Sequence, residues 1–332
     1  AAWGEARGNK IFPKAEMVFP NSVGLLYAAF TAFCGFEVND GEYKLMGMAG
    51  YGKPIHVSKV KKLYTQYANG SIRLNLDYFA FQYSSHQMYA QKFQDLFEGL
   101  RYPDIAASIQ WCTEEIVFTM LNYVCKKTKQ KNLVLGGGVA LNSTLNGKIT
   151  KKTSFQQVFI FPAAGDDGGA VGAALYAYHH ALNHSKGQMI EHVFLGKSYD
   201  NAEIESILMQ KNIAHKKSNN KKCISYITDR LAEGKVIGWF EGKAEFGPRA
   251  LGHRSILADP RNPDMKNIVN TKIKFREEFR PFAPAVLAQY AHEYFFLTTP
   301  HLLPFMLATC RAKPLARERI PAVVHIDGTS RV

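Results

Sequence analysis

Apolar residues recur every third or fourth position through "SIQWCTEEIVFTMLNYVCKK" (108–127), the spacing of a long amphipathic helix. "KNLVLGGG" (131–138) follows as a continuous apolar run closed by glycines, which predicts a buried strand, and a helix is expected to start in "VALNSTL". "FQQVFIFP" (155–162) predicts a second strand, and the small residues of "AAGDDGGAVGAALYAYHHAL" (163–182) predict a close-packed helix after it. Strand, helix, strand, helix with glycine-rich junctions implies a parallel α/β arrangement with ligands at the strand C-termini. The pattern breaks over 184–200, where a domain boundary is expected. Beyond it, "NAEIESILMQK" and "ISYITDRLAEGK" read as helices and "VIGWFEG" as a strand. "PFAPAVL" (281–287), "PFMLATC" (304–310) and "PAVVHIDG" (321–328) read as further strands.

Composition adds little: 332 residues, 46% hydrophobic and 21% charged, describe an ordinary globular chain of about two domains. The longest apolar run, "VGLLYAAFTAFCGF" (23–36), is too short to span a bilayer, and the polar opening "AAWGEARGNK" is no signal peptide. Five scattered cysteines without a CxxC speak against structural zinc and a disulfide framework, so a reducing cytoplasm is expected. Charge changes the picture more. The formal net charge is +13, with 18 basic against 13 acidic residues in 1–185 and 23 against 15 in 186–332. That balance suits a phosphorylated ligand or nucleic acid. "HKKSNNKK" (215–222) reads as a solvated loop, without the interleaved aromatics that single-stranded nucleic acid requires.

The basic residues concentrate in 245–280, "EFGPRALGHRSILADPRNPDMKNIVNTKIKFREEFRPFAP", which holds eight Lys or Arg. Arg249 follows a Gly-Pro turn and Arg280 precedes a proline, so both are presented from fixed backbone. Arginine forks suit phosphate oxygens. "GMAGYGKP" (47–54) has P-loop spacing, but Pro54 stands where a metal-binding hydroxyl belongs and no apolar strand precedes it. "LVLGGGVALN" (133–142) leaves backbone amides free at a helix start, where phosphate or ribose can be held. Leu141 replaces the third glycine of a dinucleotide fingerprint. In "AAGDDGGAVGAA" (163–174), Asp166 or Asp167 either caps a helix or ligates a metal. His180 and His184 have the i, i+4 spacing of metal ligands, yet histidines at a helix end are favoured by its dipole alone.

Six stretches together resemble the O-carbamoyltransferases of the nodulation and antibiotic-tailoring (NodU) type. They are "NSVGLLYAAFTAFCGFEVNDGEYKLMGMAGYGKP", "LVLGGGVALN", "FPAAGDDGGAVGAA", "EFGPRALGHRSILADPRNP", "KFREEFRPFAPAVL" and "IPAVVHIDGTSRV". The resemblance implies part of an actin-like ATPase (ASKHA) domain over 1–188 and an incomplete YrdC-like α/β domain over 189–332. It implies that ATP and carbamoyl phosphate give carbamoyl-adenylate and pyrophosphate. The carbamoyl group then passes to a hydroxyl of a small-molecule acceptor, with a divalent, iron-type metal assisting. Arg249, Lys274, Arg280 and Arg331 match carbamoyl phosphate and nucleotide phosphate positions. Glu42, Gly137, Gly138 and Asn142 match the adenylate site, and Asp166 matches a metal ligand. The family's N-terminal third, with its metal histidines and catalytic histidine, has no counterpart here, and the last residues fall inside a motif. Full transfer by this chain is therefore not expected. Competing expectations are a tRNA threonylcarbamoyl transferase and a non-catalytic nucleotide-binding module; hydrogenase-maturation relatives should carry cysteine pairs that are absent here.

Overall fold

The computed structural model describes every residue except Lys186, Gln188 and Met189, so the boundary expected at 188–189 lies outside the described residues. Ala2–Arg7 (β1) and Lys10–Glu16 (β2) form an antiparallel hairpin. Val23–Phe33 (α1) begins at Ser22, whose Oγ accepts the Leu25 N–H at 3.2 Å and so satisfies an amide with no partner inside the helix. Glu42–Ala49 (α2) follows, then Val57–Val60 (α3), a hairpin of Tyr64–Gln66 (β3) and Ile72–Leu74 (β4), and Gln91–Phe97 (α4).

The spine of this half is Tyr102–Thr128 (α5), 27 residues long, with proline at its start and Lys129 in the left-handed conformation at its end. Ile105, Ile109, Cys112 and Ile116 lie fully buried in one core with Leu26 and Phe30 of α1 and Phe93 and Phe97 of α4. The Phe30 ring meets Phe93 and Phe97 edge-on, with centroids 4.9 and 5.0 Å away. Each large apolar side chain buried this way contributes about 1.5–3 kcal/mol.

Asn132–Leu135 (β5) and Gln157–Ile160 (β6) pair in parallel with Leu133 opposite Val158, but β5, expected to be buried, has no buried residue and leaves Val134 exposed. Ser143–Asn146 (α6) and Ile149–Lys152 (α7) lie between them. Gly169–Leu175 (α8), prolonged by wider turns over Tyr176–Ala181, departs from expectation because none of its residues is buried. Its side contacts are polar: Lys10 Nζ donates to the His180 carbonyl at 2.6 Å and Asn9 Nδ2 to that of His179 at 2.9 Å. Small side chains allow close packing but do not supply the neighbour.

The second half is Asn201–Gln210 (α9), Asn220–Ala232 (α10), an antiparallel pair of Ile237–Phe240 (β7) and Arg254–Leu257 (β8), then Met265–Ile268 (α11) and Ala291–Tyr294 (α12). Phe295–Phe296 (β9), Cys310–Ala312 (β10) and Thr329–Ser330 (β11) form a small antiparallel sheet beside Pro314–Arg319 (α13). Its cores are small, one around Phe295, Cys310, Ala312 and Ala316, the other around Met265, Val269 and Ala322. Three expected strands are not formed. Residues 281–287 run without regular structure, because Pro281 and Pro284 lack the amides a ladder needs. In 304–310 a 3₁₀ turn and Met306 at φ 52° occupy the segment until Cys310. In 321–328 a 3₁₀ turn starts at Pro321, and strand pairing begins only at Thr329. Among the described residues the chain is mixed α/β with one parallel strand pair, and no helix is long and apolar enough to cross a membrane.

Candidate functional site

The Gly-Pro stretch of the second half lies against the strand-end loops of the first. Gly247 has φ +118°, and a Cβ there would stand 3.3 Å from Ala163, so the loop meets the turn after β6 at backbone distance. The Phe246 and Phe161 rings adjoin at 6.2 Å, and Arg249 Nη2 donates to the Leu141 carbonyl at 3.3 Å. Glu245 shapes the loop from within. Its Oε1 accepts the N–H groups of Leu251, His253 and Arg254 at 2.8, 2.9 and 3.2 Å. Burial pushes this carboxyl up, but the three amides outweigh it and hold the group below the usual carboxylate range. Glu245→Ala leaves those amides unsatisfied and is expected to cost about 2–4 kcal/mol in urea unfolding, with Glu245→Gln retaining most of the stability.

Four sequence-predicted cations converge, and a fifth joins them. Arg249 and Arg331 each bury an Nε atom that has no partner. Burial, then Arg249, Arg276 and Arg280, push the Arg331 guanidinium down to about 9. Burial and Arg280 lower Arg276 to about 10, and burial with Arg276 and Arg280 lowers Lys274. These cations outnumber the acids beside them. Among the described residues the acid paired with the group is Glu277, 3.4 Å from Arg280 Nη1 and 3.9 Å from Lys44 Nζ. Arg280 also lies over the Tyr43 ring, 4.8 Å from its centroid, and donates to the Tyr43 hydroxyl at 2.9 Å. Tyr43 and Lys44 stand on α2, so the cluster is built from both halves. Sequence reading missed Arg276, because "KIKFREEFRPF" also fits the charged exterior of a strand or helix.

Arg331 reaches the cluster from the residue just after β11, whose preceding turn is held by Asp327. Asp327 accepts the Thr329 N–H at 2.9 Å and its hydroxyl at 2.7 Å, and His325 Nδ1 lies 3.2 Å away. Burial pushes the Asp327 carboxyl up, but His325 and Thr329 prevail and hold it at about 2. The folded value lies below the unfolded one of about 3.9, so the contribution is full above pH ~4 and disappears as pH falls through ~2. Melting temperatures of wild type and Asp327→Asn are expected to differ above pH ~4 and to converge towards pH ~2.

The predicted adenylate residues flank the same surface. Gly137 (φ +94°) donates its N–H to the Ala164 carbonyl at 2.7 Å, and the space where a Cβ would stand at Gly137 and Gly138 is open. Asn142 caps α6 by accepting the Leu145 N–H at 3.0 Å, and its Nδ2 donates to Gln110 Oε1 at 2.9 Å. Behind it, buried Gln110 accepts from the Tyr27 hydroxyl at 3.0 Å and donates to Glu114 at 2.9 Å, while Lys148 reaches Glu114 at 2.7 Å. Burial, then Glu114 and Glu42, raise the Tyr27 hydroxyl well above its ordinary range. Glu42 itself accepts the Asn39 N–H at 3.1 Å.

"GMAGYGKP" cradles no phosphate: the Lys53 N–H is taken by Asp104 Oδ1 at 2.8 Å, and Gly52 is pressed against the Pro103 carbonyl. Asp166 and Asp167 are exposed and neither side chain caps a helix, which removes the capping alternative. His180 Nδ1 instead accepts the Ile11 N–H at 3.2 Å, and the His184 ring stacks on Tyr178 at 4.2 Å. Among the described residues no three His, Cys, Asp or Glu group as a metal site, so the residues around Asp166 do not fit a metal by themselves.

A family model of the carbamoyltransferase N-terminus matches residues 3–175, and one of the carbamoyltransferase C-terminus matches 228–332. The chain belongs to the carbamoyltransferase family. This carbamoyltransferase chain is 40% identical to an uncharacterised protein of Synechocystis, covering 98% of the chain and 58% of that relative. It is 36% identical to the nodulation protein NolNO of Sinorhizobium fredii, covering 98% and 48%, and 36% identical to the nodulation protein NolO of Bradyrhizobium diazoefficiens, covering 96% and 59%. The chain thus spans about half to three-fifths of the length of these relatives. The two family matches leave 176–227 between them, and the cation cluster draws Tyr43 and Lys44 from the first and its guanidiniums from the second.

Proposed function

We propose that this chain carries the activation site of an ATP-dependent O-carbamoyltransferase. The observation that carries the reading is the cluster of Arg249, Lys274, Arg276, Arg280 and Arg331, gathered around one paired acid with two buried Nε atoms unsatisfied. Concentrated cations of this kind are stabilised by a polyanion, and carbamoyl phosphate with the ATP phosphates supplies one. The atoms balance when water releases phosphate from carbamoyl phosphate and an oxygen of the resulting carbamate attacks the α-phosphorus of ATP. Pyrophosphate leaves and carbamoyl-adenylate remains. The guanidiniums bind the phosphoryl oxygens and stabilise the charge gathering on the leaving group.

In this reading residues 1–188 are the ASKHA-like half and 189–332 the YrdC-like half. Gly137 and Gly138 admit the adenylate by their open approach, Asn142 holds it, and Glu42 contacts its ribose. Transfer goes to a hydroxyl of a small-molecule acceptor. Asp166 would supply one carboxylate to a divalent metal that assists the transfer. Calorimetric titration is expected to show saturable binding of ATP and of carbamoyl phosphate. Absence of both, or a steep salt-dependent retention of tRNA on filters instead, would overturn the assignment.

A further inference from the structure

We propose that Arg276 is a fifth ligand of the phosphoryl anion and that Asn270 is the positioning residue that holds it ready. Asn270 is fully buried just after α11. All of its side-chain hydrogen bonds go to one loop: Oδ1 accepts from Arg276 Nε at 2.7 Å, and Nδ2 donates to the carbonyls of Arg280 at 2.9 Å and Glu278 at 3.3 Å. Its backbone carbonyl accepts the Arg276 N–H at 3.1 Å as well. A buried amide committed in this way fixes the course of the loop that carries two of the cations.

The Arg276 side chain is secured at its inner end only. Its guanidinium lies over the Phe282 ring, 4.8 Å from the centroid, and its Nε is engaged by Asn270. Among the described residues no acid pairs with it, and its two Nη atoms make no hydrogen bond. They form a planar fork of the kind that takes two phosphate oxygens. The residue before it, Phe275, is held at φ +47°, a conformation rarely adopted by a bulky side chain. The Lys274 N–H on Val269 and the Arg276 N–H on Asn270 bracket that strained residue. Backbone strain persists where the surroundings impose it, and here it lies between two members of the cation cluster.

The inference rests on reading the cluster as a phosphate site, and the test separates the two. The purified 332-residue chain is titrated with pyrophosphate by calorimetry at low and moderate salt. Arg276→Ala is expected to weaken binding about tenfold or more and to make it less salt-dependent, because a charge-assisted fork and one cation are lost. Arg276→Lys restores the salt dependence but only part of the affinity. Asn270→Ala keeps all five cations, so its affinity falls while its salt dependence stays that of wild type. Wild-type affinity in Arg276→Ala overturns the role of Arg276, whatever Asn270→Ala does to folding. If wild type does not bind pyrophosphate, the phosphate reading of the whole cluster fails, and this inference with it.

Discussion

Arg249→Ala is expected to lower the affinity for carbamoyl phosphate and ATP by about two orders of magnitude, a loss of roughly 3 kcal/mol. It is also expected to leave the ligand-free protein as stable as wild type, or more so. Arg249 is a buried guanidinium whose Nε has no partner and whose one protein hydrogen bond is a 3.3 Å contact to Leu141. Its charge adds to those that push Arg331 down, so its removal relieves repulsion in the empty site. A residue kept for packing would behave in the opposite way. Calorimetry and thermal melting of the same preparation read both quantities, and a stability loss with unchanged affinity would reject the role.

Gln110→Leu is expected to be the most damaging change on the nucleotide side, at roughly 2–4 kcal/mol in urea unfolding. Gln110 joins Tyr27, Glu114 and Asn142 in one buried network, and a leucine strands the Tyr27 hydroxyl and the Asn142 amide while Glu114 keeps only Lys148. Asn142 would keep its cap on α6 but lose the partner that sets its orientation, so ATP affinity should fall along with stability. Tyr27→Phe, which removes a single hydroxyl, should cost no more than about 1.5 kcal/mol. Equal effects of the two substitutions would show that the network does not act through Gln110.

The sequence disclosed what depends on neighbouring residues. The long helix α5 and the pairing of β5 with β6 follow from local spacing, and both form. The strands expected at 281–287, 304–310 and 321–328 do not form, because apolar runs alone do not reveal the amides that proline removes or the turns it starts. What stayed hidden is what distant segments build together. Tyr27, Gln110 and Asn142 are separated by 83 and 32 positions, and no period or motif links them. Glu245 gathers three amides of its own loop, a role that no local spacing signals. Arg276 escaped notice because a charge alternating with apolar residues reads first as a solvated face. Its buried Nε contact with Asn270 is a tertiary fact.

Activation of carbamoyl phosphate with ATP at the cation cluster is read by isotope exchange alone. The purified chain is incubated with ATP, carbamoyl phosphate and labelled pyrophosphate, and label in ATP is counted. Exchange is expected to require carbamoyl phosphate and to disappear in Arg249→Ala. Label entering ATP without carbamoyl phosphate, or at the wild-type rate in Arg249→Ala, would contradict activation at this cluster.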